Sequence, residues 1–119
     1  MPKFMLTIWT EEVPEGSVPP EELQQQAAAY QQVTDDMRSD GAFVAGEGLQ
    51  PSTSGRTVRV QDGRTEATDG PFAETKEQLG GFYLLDVKDE DEAIRWAVRI
   101  PGARYGAIEV RPVIDYPEA

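Results

Sequence analysis

The chain has 119 residues and a net charge of −11, with 11 basic and 22 acidic side chains, and it contains neither cysteine nor histidine. A field of that sign repels phosphate backbones and anionic bilayers, so direct binding to nucleic acid or membrane is not expected. Disulfides, thiolate nucleophiles and zinc–sulfur sites are excluded, and any proton transfer falls to carboxylates, Lys or Tyr. Apolar residues make up 39% of the chain, enough for one core, and the length predicts a single domain over residues 1–119.

The first apolar run, Phe4–Trp9, is too short for a signal core or a membrane span, and Glu11 and Glu12 follow it at once. A soluble cytoplasmic protein is expected. Lys3–Trp9 alternates as a strand, with Phe4, Leu6 and Ile8 on one face and Met5, Thr7 and Trp9 on the other. After a loop rich in Pro and Glu, the segment from Pro19 to Gly41 reads as a helix. Pro20 suits its first turn, Glu21 and Glu22 suit its positive end, and Leu23, Ala27, Tyr30, Val33 and Met37 form its stripe. Gly41 is placed to end it.

Ala42–Pro51 is a second strand, with Gly46 and Gly48 on one face. In "RTVRVQDGRTEAT" two extended runs flank Asp62-Gly63, a type I′ hairpin signal. "LGGFYLLDV" is another strand. "DEDEAIRWAVRIPG" is a second helix, with acids in its first turn, Ile94, Ala97 and Val98 sharing a face, Trp96 in packing, and Pro101-Gly102 as its stop. "YGAIEVRPV" is the last strand. Glu109 and Arg111 share one of its faces, to pair across an interface or to meet a ligand. The order β-α-β-hairpin-β-α-β predicts an α+β, ferredoxin-like split βαβ fold: an antiparallel sheet, two helices on one face and an inserted hairpin. The other sheet face, with Met5 and Trp9, is too apolar to stand in water. A homodimer covering it by two-fold symmetry is expected, with a ligand cavity between or beside the two sheets.

Asp69-Gly70-Pro71-Phe72 forms a stiff corner. An aspartate in a turn usually accepts from the backbone N–H two residues on, and here that residue is Pro71, which has none. Asp69 is left to cap the Phe72 N–H, to point into a pocket, or to meet a cation such as Lys76, Arg56 or Arg104. Phe72 is read as an anchor to the core. Gly80-Gly81 admits close approach of a backbone or ligand. "DEDE" (Asp89–Glu92) is read as a helix N-terminus, because it lacks the glycine and ligand spacing of a calcium loop.

Taken together, "VAGEGLQP", "TVRVQDGRTEATDGPFAETKEQLGGFYLLDV", "DEDEAIRWA" and "ARYGAIEVRPV" resemble the DGPF family of bacterial YCII-related proteins over Lys3–Val113, with the namesake motif intact at residues 69–72. The resemblance implies a ferredoxin-like fold that dimerises as an α/β barrel, in a bacterial protein often encoded near extracytoplasmic-function sigma factors. Some YCII members carry a His–Asp pair; this chain has no histidine, so that mechanism does not transfer. Two readings follow. One is a cofactor-free acid/base enzyme of the isomerase or lyase type acting on a small organic acid in a dimer cavity, with Asp69 as acid/base, Lys76 or an arginine holding the substrate's charge, and Phe72, Tyr83 and Trp9 against its body. Tyr83 can equally face the helices. The other is a non-catalytic ligand-binding or regulatory module. No cofactor or metal is expected in either.

Overall fold

The computed structural model describes residues 1–117. In chain order its elements are β1 (Lys3–Glu11), α1 (Pro20–Ser39), β2 (Phe43–Gly48), β3 (Arg56–Gln61), β4 (Arg64–Asp69), β5 (Glu77–Asp86), α2 (Glu90–Arg99) and β6 (Ala107–Pro112), with short 3₁₀ turns before β3 and after α2. Four strands form an antiparallel sheet in the order β2-β5-β1-β6, and β3 and β4 form a separate two-stranded ribbon. This is the ferredoxin-like α+β arrangement with an inserted hairpin.

The two central strands carry the core. Phe4, Leu6 and Ile8 stand opposite Leu85, Tyr83 and Gly81, and the five side chains among them point toward the helices. Val33 and Met37 of α1 and Ala93, Trp96, Ala97 and Ile100 at α2 close over them. The first half of α1 contributes no buried residue, and Leu23 and Ala27, expected in its stripe, are exposed. The inner face of α2 is also turned from the expected one. Ile94 and Val98 are exposed, while Ala93, Trp96, Ala97 and Ile100 point inward. The difference is one residue, roughly 100° of helix rotation. That rotation buries the Trp96 indole and Ile100 and leaves Ile94 and Val98 outside.

Local chemistry fixes the helix ends. The Asp89 carboxylate accepts from the Glu92 N–H at 2.9 Å, and Glu92 reaches back to accept from the Lys88 N–H at 2.8 Å, so the acidic run is a capping arrangement. At the end of α1 the Gly41 N–H bonds to the Arg38 carbonyl and the Ala42 N–H to the Met37 carbonyl, a Schellman pair. Arg99 of α2 pairs with Asp36 of α1. That contact, with help from Gln32, holds the Asp36 carboxyl below its ordinary range.

Among the described residues, no helix lies over the opposite face of the sheet. Register places Met5, Leu84 and Ala45 side by side there, next to Phe82 and Thr7. Trp9 donates to the Thr7 hydroxyl at 2.9 Å, and Arg111 pairs with Glu109 at 2.8 Å within one protomer. The molecule is a slab of 50 × 45 × 18 Å. No helix among the described residues is long and apolar enough to cross a membrane.

Two glycines at strand ends, Gly106 before β6 and Gly48 at the end of β2, differ sharply in what surrounds them. A Cβ on Gly106 would be driven into the Trp9 carbonyl oxygen and would lie 3.0 Å from the Thr10 Cα, both backbone atoms that cannot swing aside; a Cβ on Gly48 would meet nothing within 4 Å. Gly106→Ala is expected to lose about 3 kcal/mol of unfolding free energy in urea titrations, and Gly48→Ala to stay within about 0.5 kcal/mol of the parent.

Candidate functional site

Beside β2, the α1 helix and the sheet part to leave a hollow of about 410 Å³. Its floor is unusual for a strand pair: Gly46 and Gly48 from β2 and Gly80 and Gly81 from β5 line it, so four adjacent positions carry no side chain. At Gly46 a Cβ would meet the Tyr83 ring at 2.8 Å and the Phe43 ring at 3.2 Å. The missing side chain is what lets those two rings approach edge to face, with centroids 6.4 Å apart.

The roof is one face of α1. Tyr30, Thr34 and Arg38 stand four residues apart, so they line up along the helix above the glycines. The Thr34 hydroxyl donates to the Tyr30 carbonyl at 2.8 Å. A threonine has a single hydroxyl proton, so in the 2.7 Å contact between Thr34 and Tyr83 the tyrosine is the donor. The Tyr83 oxygen keeps a lone pair. The Tyr30 oxygen accepts from the Gly102 N–H at 3.1 Å, and among the described residues its own proton has no acceptor. Burial, the largest influence, pushes the Tyr30 phenol above its ordinary value near 10, against the Gly102 hydrogen bond. At the mouth the Arg38 guanidinium lies 4.6 Å from the centre of the Phe43 ring. Stacking leaves the edge of a guanidinium free to meet an anion. Among the described residues, Arg38 is the only cation in this lining and Glu47 the only carboxylate.

The five residues expected to form one site are divided among three places. Tyr83 is 7% exposed, faces the helices and lines this hollow. Trp9 and Lys76 meet in a second, more open hollow at the end of the uncovered sheet face, with Glu11, Glu77, Tyr105 and Glu109. There Lys76, 81% exposed at its side chain, pairs with Glu11 at 3.9 Å. Asp69 and Phe72 line neither hollow. The Asp69 side chain is 92% exposed and meets Arg56 Nε at 3.3 Å, its cross-strand partner where the β3–β4 ribbon begins. Phe72 is not the expected anchor to the core: it is 74% exposed and lies under the Arg59 guanidinium, 4.8 Å from ring centre to Cζ. The physical reason is the neck of the ribbon. Gly70, at φ 93°, turns the chain so that its N–H bonds to the Gly55 carbonyl at 2.8 Å and its carbonyl accepts from the Thr57 hydroxyl at 2.9 Å. The corner therefore follows the hairpin and not the main sheet. Thr34, Arg38 and Phe43 were not singled out from sequence, although the spacing Tyr30–Thr34–Arg38 sets a polar row beside the apolar stripe of α1.

This frame matches the model of the YCII-related domain over residues 3–117, and the chain belongs to that family. It is 49% identical over 70 residues to "Uncharacterized protein R00369" of Rhizobium meliloti (strain 1021), a match covering 57% of this chain and 56% of that protein. The aligned segment thus spans little more than half of the relative's length.

A phenol whose ionisation is raised by folding contributes stability that is complete below its unfolded pKa and is lost as pH rises through the folded one. Unfolding free energy is accordingly expected to fall above about pH 10. Tyr30→Phe should flatten that decline relative to the parent, as measured by urea titrations between pH 8 and pH 11.

Proposed function

We propose that this YCII-related protein is a homodimer that binds a small organic acid in the hollow between α1 and strands β2 and β5. The observation that carries the reading is Arg38, stacked on Phe43 at the mouth of a glycine-floored space of about 410 Å³. Ligand cavities fall at roughly 300–1,000 Å³ and combine apolar walls with a few convergent polar groups. A carboxylate would take the guanidinium edge with paired, charge-assisted hydrogen bonds. The ligand's planar body would lie over the glycines, with the Tyr30 hydroxyl as a donor and the Tyr83 oxygen as an acceptor.

Binding is favoured over acid/base turnover by the character of the lining. Tyr30 stays protonated at neutral pH and acts as a donor, because burial raises its ionisation. Asp69, the sequence candidate for acid/base work, faces solvent beside Arg56. The dimer is supported by shape. A compact chain of this length has a radius of gyration of about 13.5 Å, and one of twice the length about 17.6 Å; this protomer measures 16.5 Å. Stacking a second slab on the face that carries Met5, Phe82 and Leu84 would cover apolar surface and restore a compact body.

Small aromatic and unsaturated monocarboxylates should raise the melting temperature of the wild-type protein. Arg38→Met should weaken the best of them about tenfold or more in titration calorimetry. Gly48→Leu, which fills the hollow without a backbone clash, should do the same. If no acid binds the wild type below about 1 mM, some −4 kcal/mol, or if both variants bind as well as the parent, the assignment of this hollow fails.

A further inference from the structure

The β3–β4 hairpin is an arm with a fixed root and an uncovered body. At its root the Gly70 N–H bonds to the Gly55 carbonyl, Thr57 holds the Gly70 carbonyl, and the Glu12 carboxylate accepts from the Ser52 N–H at 2.6 Å and from the Ser52 hydroxyl. Its tip is the Asp62-Gly63 turn, with positive φ at both residues (51° and 75°), as a type I′ hairpin requires. Between root and tip the arm has two unlike faces. Val58 stands opposite Ala67 and Val60 opposite Thr65 on one; Arg59 stands opposite Glu66 and Gln61 opposite Arg64 on the other. The valines are 61% and 67% exposed, so among the described residues nothing covers the apolar face.

A two-stranded ribbon is marginal in water and needs something packed on its apolar face. Three features select the occupant. First, the slab is only 18 Å thick, little more than one sheet and one helix layer, so the arm prolongs it sideways. An arm that widens the slab in its own plane leaves the uncovered sheet face open to a stacked copy and enlarges the footprint that copy can meet. Second, the arm is electrically neutral, with Arg56, Arg59 and Arg64 balancing Asp62, Glu66 and Asp69, in a chain of net charge −11. It is therefore a part of this protein that a second, equally acidic copy can approach without repulsion, and it offers a charged partner no attraction. Third, two-fold symmetry covers both arms at once.

We propose that the Val58–Val60–Ala67 face of each arm packs against a second copy of this chain, as a clasp additional to the contact between sheets. The proposal rests on the dimer inferred above. Sedimentation equilibrium of the wild type, of Val58→Glu/Val60→Glu and of the milder Val58→Thr/Val60→Thr separates the two readings, because threonine keeps the strand preference while removing apolar surface. The dissociation constant is expected to rise at least tenfold for the glutamate pair and by a smaller factor for the threonine pair. Hydrogen exchange should show arm amides protected in the wild-type dimer and released in the glutamate variant. A wild type that is monomeric at about 100 μM protomer, against the micromolar range expected of a standard interface, would remove both the dimer and the clasp. A wild-type dimer whose dissociation constant and arm protection are unchanged in both variants would overturn the clasp alone.

Discussion

Strands β1 and β5 are apolar on both faces, and two helices can cover only one of them. Most of what is distinctive in this molecule follows from that mismatch. On the helix side Phe4, Leu6, Tyr83 and Leu85 are buried under α1 and α2. On the other side Met5, Phe82 and Leu84 occupy the same central positions of the same strands and have no layer above them. Burial of apolar area is the main favourable term in folding, and the proposed dimer would supply to this side the layer that the helices supply to the other.

The helix layer is itself incomplete, and the gap has a local cause. Close packing between a helix and a sheet requires side chains from both surfaces to interdigitate. Over β2 and the start of β5 the sheet offers only hydrogen atoms, at Gly46, Gly48, Gly80 and Gly81. The helix answers with Tyr30, Thr34 and Arg38 in place of aliphatic residues. Tyr83 and Thr34 satisfy each other across the gap, which prevents collapse: a helix drawn closer would have to expel paired hydroxyls. A cavity held open by satisfied polar groups and a glycine floor costs less than one cut from an aliphatic core. Its one cation stands at the entrance, where solvent still reaches it.

The strands and helices were legible in the sequence because period-2 and period-3.6 patterns are set by the same burial that shapes the fold. The Asp62-Gly63 turn, the Gly41 stop and the acidic start of α2 at Asp89–Glu92 each depend on a few adjacent residues and were legible for that reason. The rotation of α2 was not, since choosing between Ile94–Val98 and Trp96–Ile100 requires knowing the depth of the surface the helix meets. The division of the site residues was harder still. Trp9 and Tyr83 both sit on central strands, and one residue of register decides which face each takes. Lys76 and Trp9 do share a hollow, whereas Arg38 and Thr34 stand out only once the glycine strand lies beneath them.

The Asp69-Gly70-Pro71-Phe72 corner acquires a different meaning in this setting. The missing N–H at Pro71 was a reason to think the aspartate available for chemistry, but its partner is the arginine that begins the opposite strand of the arm. Arg59 over Phe72 adds a second contact on the other side of the ribbon. Each exposed contact is weak, an exposed ion pair being worth up to about 1 kcal/mol. Their common effect, together with the Gly55–Gly70 hydrogen bond, is to fix the angle at which the ribbon leaves the body. An arm that swung freely would lose orientational entropy on docking, and a stiff root removes much of that cost in advance. On the proposed clasp, the rigidity of this corner serves to aim the arm, and the acid in it neutralises an arginine at the root end of the face that carries Val58 and Val60.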